Sequence, residues 1–160
     1  MKLNTLPDHS RIWIYQSNTL LEDALSSLIG DRITAFLQQW SSHGSQMHAA
    51  MEVRHNRFLI IGVDEQTAAA SGCGIDKLMR FIQELEKEFN ITLLDRMLVS
   101  WEADGLVQVA SLHVFEGLLD SGKISEDTLV FNNLVETKKQ FDTNWKIPLR
   151  QSWHARLLKA

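Results

Sequence analysis

The residues 71–76, Ser-Gly-Cys-Gly-Ile-Asp, place the chain's single cysteine just ahead of a helical apolar stripe. A thiol in the first turn of a helix meets unpaired backbone N–H groups and the positive end of the helix dipole, both of which favour the thiolate. Lys77 would add to that effect one turn on, and Asp76 opposes it, because a neighbouring carboxylate disfavours a second negative charge. With His43 as base and a carboxylate nearby, Cys73 would complete the minimum kit for nucleophilic catalysis. Without a base, the same turn offers N–H groups to a carboxylate or phosphate ligand. A structural account also fits: Gly72 and Gly74 permit a tight turn, Cys73 packs as a small residue, and Asp76 complements the helix start.

Two other chemistries fail on spacing. His43 and His48 with Cys73 form a mixed set of metal-ligand types, but no pair has the C-x2-C or H-x3-H spacing of a zinc site, so no metal is assigned. Residues 117–124, Gly-Leu-Leu-Asp-Ser-Gly-Lys-Ile, match the phosphate loop G-x-x-x-x-G-K-[ST] except at the last position, where the magnesium-binding hydroxyl is replaced by Ile124. Leu112, Phe115, Leu118 and Leu119 predict a helix running into Gly122, whereas a phosphate loop opens a helix. Residues 59–65 resemble the acidic strand of such enzymes, but they precede the loop look-alike, and apolar strands ending in an acid are common. The chain is not read as a P-loop ATPase.

The elements that would position these groups follow from periodicity. Residues 11–17 form a short strand of aromatic and β-branched residues. Leu21, Leu25, Ile29, Ile33, Phe36 and Trp40 mark a helix over 19–40, with Gly30-Asp31 as a place for a kink, and 41–45 read as a loop. In 49–55, Met51 and Val53 alternate with Glu52 and Arg54, the pattern of a half-exposed strand. Residues 57–64 are nearly all apolar and read as a central strand, joined to the previous one by a turn at His55-Asn56. Ile75, Leu78, Ile82, Leu85 and Phe89 form one helical stripe. Residues 97–101 and 106–109 are strands around Asp104-Gly105. Beyond them the pattern predicts a helix over 111–120, a strand at 129–131, a helical stretch over 135–145, and a last helix from Pro148 that turns Leu149, Trp153 and Leu157 inward.

The order β-α-β-β-α-β over 11–101 is that of a ferredoxin-like α+β core. Ile12 and Ile14 on one face of the first strand, with Trp13 and Tyr15 on the other, require a cover for the open side of the sheet. A C-terminal mixed α/β extension (102–160) is the expected cover, and a second subunit the alternative. With no linker or repeat, 1–160 reads as one domain. In that topology the loop after the first helix, the loop before the second, the start of the first strand and the end of the fourth share one end. That would gather His9, His43, His48, Asp64, Cys73, Asp76 and Glu102.

At 160 residues, 44% hydrophobic and 22% charged, the chain is an ordinary globular protein able to bury a real core. A formal charge of −4 and singly scattered basic residues argue against a nucleic-acid or anionic-membrane partner. No apolar run approaches the ~18 residues of a membrane span. One cysteine and an N-terminus without an apolar signal core point to the cytoplasm. Five tryptophans would serve a core or an interface, and Trp145 and Trp153 are candidates for a homodimer contact.

Trp13-Ile-Tyr-Gln-Ser17, Trp40 with His43-Gly44, Arg57-Phe58, Val63-Asp64-Glu65, the 71–76 turn, Val130-Phe-Asn-Asn-Leu-Val135 and Ser152-Trp-His154 together resemble a family of small bacterial proteins often labelled "ABC transporter ATPase". The resemblance spans nearly the whole chain. The family pattern often has serine after the cysteine, where this chain has Gly74, and so lacks that hydroxyl. The resemblance implies no catalytic residue, and its ATPase label conflicts with the failed phosphate-loop match. The reading reached from the residues is a non-enzymatic binding domain without a cofactor, taking a small anion or a protein partner. Its ligand residues would be Ser71, Gly72, Cys73, Gly74, Asp76, His43 and Asp64. The rivals are a cysteine enzyme using Cys73 with His43, and a homodimeric interaction protein.

Overall fold

The apolar runs 11–16 and 58–64 pair in an antiparallel sheet in the computed structural model, which describes residues 2–42, 44–66 and 70–158. β1 (Arg11–Gln16) leads to α1 (Asp23–Gln39), and a small hairpin follows, β2 (Ser41–Ser42) with β3 (Ser45–Gln46). β4 (His48–Arg54) and β5 (Phe58–Asp64) form the expected hairpin, and α2 (Gly72–Phe89) follows. The described residues form an α+β fold with a three-stranded and a four-stranded antiparallel sheet, the small hairpin and four α-helices.

The chain divides into two compact units, the first comprising Met1–Leu94 and Glu136–Lys139. Its sheet has the order β1-β5-β4, with Ile61 between Trp13 and Met51 in the register. Ile29, Ile33 and Leu37 of α1 and Leu78, Ile82 and Leu85 of α2 pack with Leu59, Ile61 and Val63 on one face. α1 runs unbroken through Gly30, where a Cβ would meet only Met51 at an ordinary 3.9 Å. On the other face, a Cβ at Gly62 would lie 2.6 Å from Leu6, 2.9 Å from Leu3 and 3.0 Å from Ile12. The N-terminal 3-10 turn (Leu3–Thr5) therefore lays its leucines against that face, and glycine is what lets them approach so closely.

The ferredoxin-like arrangement expected over 11–101 is not confirmed. It requires the strand after α2 to lie beside β1. Instead β6 (Leu98–Ala103) pairs with β7 (Leu106–Ser111) through a turn at Asp104 and Gly105, both at positive φ, and with β8 (Leu129–Phe131) on its other side. With both edges of β6 occupied, β1 is joined by residues 136–139: Thr137 bridges Arg11, and Ile12 N–H donates to the Glu136 carbonyl at 2.9 Å.

The second unit, Asp95–Val135 with Gln140–Ala160, carries the sheet order β7-β6-β8-β9, where β9 is Lys146–Pro148. Val99, Trp101, Phe115, Val130 and Leu149 form its core with α3 (Leu112–Asp120), whose first turn is capped by the Ser111 hydroxyl. The helical stretch expected over 135–145 is confined to α4 (Lys138–Asn144). The last helix expected from Pro148 is instead two 3-10 turns, Leu149–Gln151 and Trp153–Leu157, broken where Ser152 is extended (φ −109°, ψ 168°). Trp145, a candidate for a dimer contact, is buried within this unit between Phe131 and Phe141 and donates to Asn133 at 2.9 Å.

Candidate functional site

α2 begins where the apolar stripe begins, and Ser71 stands at its N-cap with extended backbone (φ −75°, ψ 173°). The cap is loose: Ser71 Oγ lies 3.5 Å from the Gly74 N–H, at the outer limit of a hydrogen bond. The first helical backbone bond there runs from Ile75 N–H to the Ser71 carbonyl at 2.9 Å. Among the described residues, the N–H groups of Gly72 and Cys73 have no acceptor, as expected of a helix start. Gly72, Cys73 and Asp76 are exposed, and a Cβ on Gly72 would meet nothing within 4 Å. Gly74 is buried, and its carbonyl accepts from Trp40 Nε1 at 2.9 Å. That bond joins the end of α1 to the start of α2, the proximity expected of the two loops.

Asp64 closes β5 and holds a second cluster together. Its Oδ1 is 3.1 Å from His9 Nε2 and accepts from Gln66 N–H at 3.0 Å, and His48 stands opposite it in the β4–β5 register. The Gln66 N–H first, then the hydrogen bond with His9, hold the Asp64 carboxyl below the usual carboxylate range. Glu65 turns toward the helix start, accepting from Ala70 N–H at 3.3 Å, and its other neighbour is Arg11 at 3.7 Å. Arg11 also lies over the Trp13 ring, 4.8 Å from its centroid. Sequence reasoning took Arg11 only as the start of a strand and Glu65 only as part of an acidic strand end, and assigned neither to the site.

Several predicted site residues are not brought together. Cys73 makes no hydrogen bond or ion pair with Asp64, His9 or His48. His43 lies outside the described residues. Glu102 sits in the second unit, ion-paired with Lys146, because β6 belongs to that sheet. Among the described residues no three His, Cys, Asp or Glu side chains are grouped to hold a metal ion. An open cavity of about 370 Å³ lies along α1 and β4, lined by Thr34, Leu37, Gln38, Met47 and His48; it does not include the helix start.

The phosphate-loop look-alike occupies the end of a helix. Gly117 is within α3, Gly122 is in the left-handed region (φ 78°), and Lys123 N–H returns to the Leu118 carbonyl at 3.0 Å. No described helix is long and apolar enough to cross a membrane. No protein-family model, curated protein or solved structure matches the chain.

Proposed function

We propose that this protein is a binding domain that takes a small anionic ligand, a carboxylate or a phosphate, at the start of α2, without catalysing a reaction on it. The observation carrying this reading is the open first turn: Gly72 and Cys73 are exposed and their N–H groups are unclaimed among the described residues. An 18-residue helix adds its dipole to those donors. Lys77 contributes a positive charge one turn on, while Asp76 and Glu65 limit the affinity and favour a small, singly anchored group. The test is an amide NMR titration with inorganic phosphate and with acetate at constant ionic strength. Saturable shifts at Gly72 and Cys73 are expected, and their absence in both titrations would sink the reading.

A second reading, a cysteine enzyme with Cys73 as nucleophile and His43 as base, is favoured by one observation, the exposure of Cys73. It requires a thiol-probe reaction whose apparent pKa lies well below about 8.5 and shifts in His43→Ala. We also read the first unit as a ferredoxin-like variant. The order β1-β5-β4 supports this, with the position beside β1 taken by residues 136–139 in place of a fourth strand. Membership of the family of small bacterial proteins that the sequence resembles is part of the same proposal.

A further inference from the structure

We propose that Arg57 anchors an oxyanion, a carboxylate or a phosphate, at the end of the first sheet where β1 stops and β5 starts. The register puts Gln16 opposite Phe58 at this end and Arg11 opposite Val63 at the other, so the site is independent of the α2 start.

Arg57 leaves the β4–β5 turn, whose residues His55 and Asn56 both have positive φ, and its N–H closes the turn onto the Arg54 carbonyl at 3.1 Å. Two bonds clamp it to the end of β1. Ser17 N–H donates to the Arg57 carbonyl at 2.7 Å, and Arg57 Nη1 donates to the Ser17 carbonyl at 3.2 Å. The guanidinium is thus fixed in place by the backbone and partly buried. Its Nε is closed off from water and has no acceptor, and no described carboxylate forms an ion pair with it. The acid beside the turn, Asp23, is engaged by Asn56 Nδ2 at 2.7 Å.

A cation held partly out of water with a donor unpaired is costly unless an anion meets it. Desolvation acts on this guanidinium, holding its pKa below the ordinary value. With Nη1 committed to a neutral carbonyl, the Nε edge is the part of the fork that matches the oxygens of a carboxylate or phosphate. Because Nε has almost no open surface, an anion reaching it must displace the atoms that cover it, which makes the Nε–Hε resonance a direct reporter.

The experiment follows the Arg57 Nε–Hε and Ser17 amide resonances by NMR while phosphate, or separately acetate, replaces chloride at constant ionic strength. A saturable shift at both groups is expected with at least one of the two, and the one that saturates identifies the oxyanion. Arg57→Met should weaken the response at Ser17 by about tenfold or more, the loss of one charge-assisted contact. Arg57→Lys should retain part of it as a point charge. No saturable shift in the unmodified protein, or a Ser17 response unchanged in Arg57→Met, overturns the proposal. If Arg57→Met does not fold, the unmodified protein and Arg57→Lys decide it. Gly72 and Cys73 report the other site in the same spectra, so either proposal can fail alone.

Discussion

The indole N–H of Trp40 donates to the carbonyl of Gly74 at 2.9 Å, tying the residue that ends α1 to the first turn of α2 across 34 positions of sequence. Trp40 is 1% exposed and packs against Trp13 and Phe36, so the donor is delivered by a ring that cannot easily move. The orientation of the candidate anion site thus depends on a core residue that touches no ligand.

Trp40→Phe keeps most of the buried ring and removes the donor. It is expected to destabilise the fold by about 1–3 kcal/mol, the range for a lost buried hydrogen bond plus a small void. Urea unfolding gives the stability change. Labelling of Cys73 should also speed up as the first turn of α2 loosens. A variant as stable as the parent would show that the bond carries no structural weight.

Asp64 should confer stability that depends on acid pH. Its carboxyl is held below the usual range by the Gln66 N–H and His9, so the folded state favours the charged form. That contribution is present above the ordinary carboxylate pKa of about 3.9 and is lost as pH falls through the lowered folded value. The stability gap between the parent and Asp64→Asn should be widest at neutral pH and narrow below about pH 4. Thermal unfolding from pH 7 down to pH 2.5 reads it, and a gap of constant size would contradict the assignment.

His154 should act in the neighbouring, less acidic pH window. It is buried, with Nδ1 2.7 Å from Ser152 Oγ and its ring stacked on Trp153, and burial lowers its pKa from 6.5 to about 4. The unfolded chain takes up a proton below 6.5 that the folded chain refuses until about 4. Stability is therefore full above pH 6.5 and falls by about 1.4 kcal/mol per pH unit toward pH 4, roughly 3 kcal/mol in all, with no further loss below. In His154→Gln this slope should disappear, so equilibrium unfolding of parent and variant between pH 7 and 4 should converge. Parallel curves would mean that His154 takes up its proton at the same pH in the folded and the unfolded chain.

Local pattern alone was enough for much of this protein. The stripe from Ile75 to Phe89 became α2, the alternation around Met51 and Val53 became β4, and Asp104-Gly105 became the turn of a hairpin. Each is set by neighbours within a few residues, which is the range over which periodicity and turn chemistry act.

Partner choice lay beyond it. The strand β6 looks the same in sequence whether it joins β1 or β8, and only the competition among all strand edges put Thr137 beside Arg11 instead. Leu3 and Leu6 carry no signal that they will lie on Gly62, and no spacing announces that Arg57 will meet Ser17 across 40 positions; for His9 and Asp64 the expected strand order put both at one end, and only the fold set them in contact. The residues by themselves determined the first three helices, the two longer hairpins and the start of α2 near Cys73. Tertiary structure decided which edges paired and where charges met, because those contacts depend on loop closure and on burying shared apolar faces, which the whole chain settles at once.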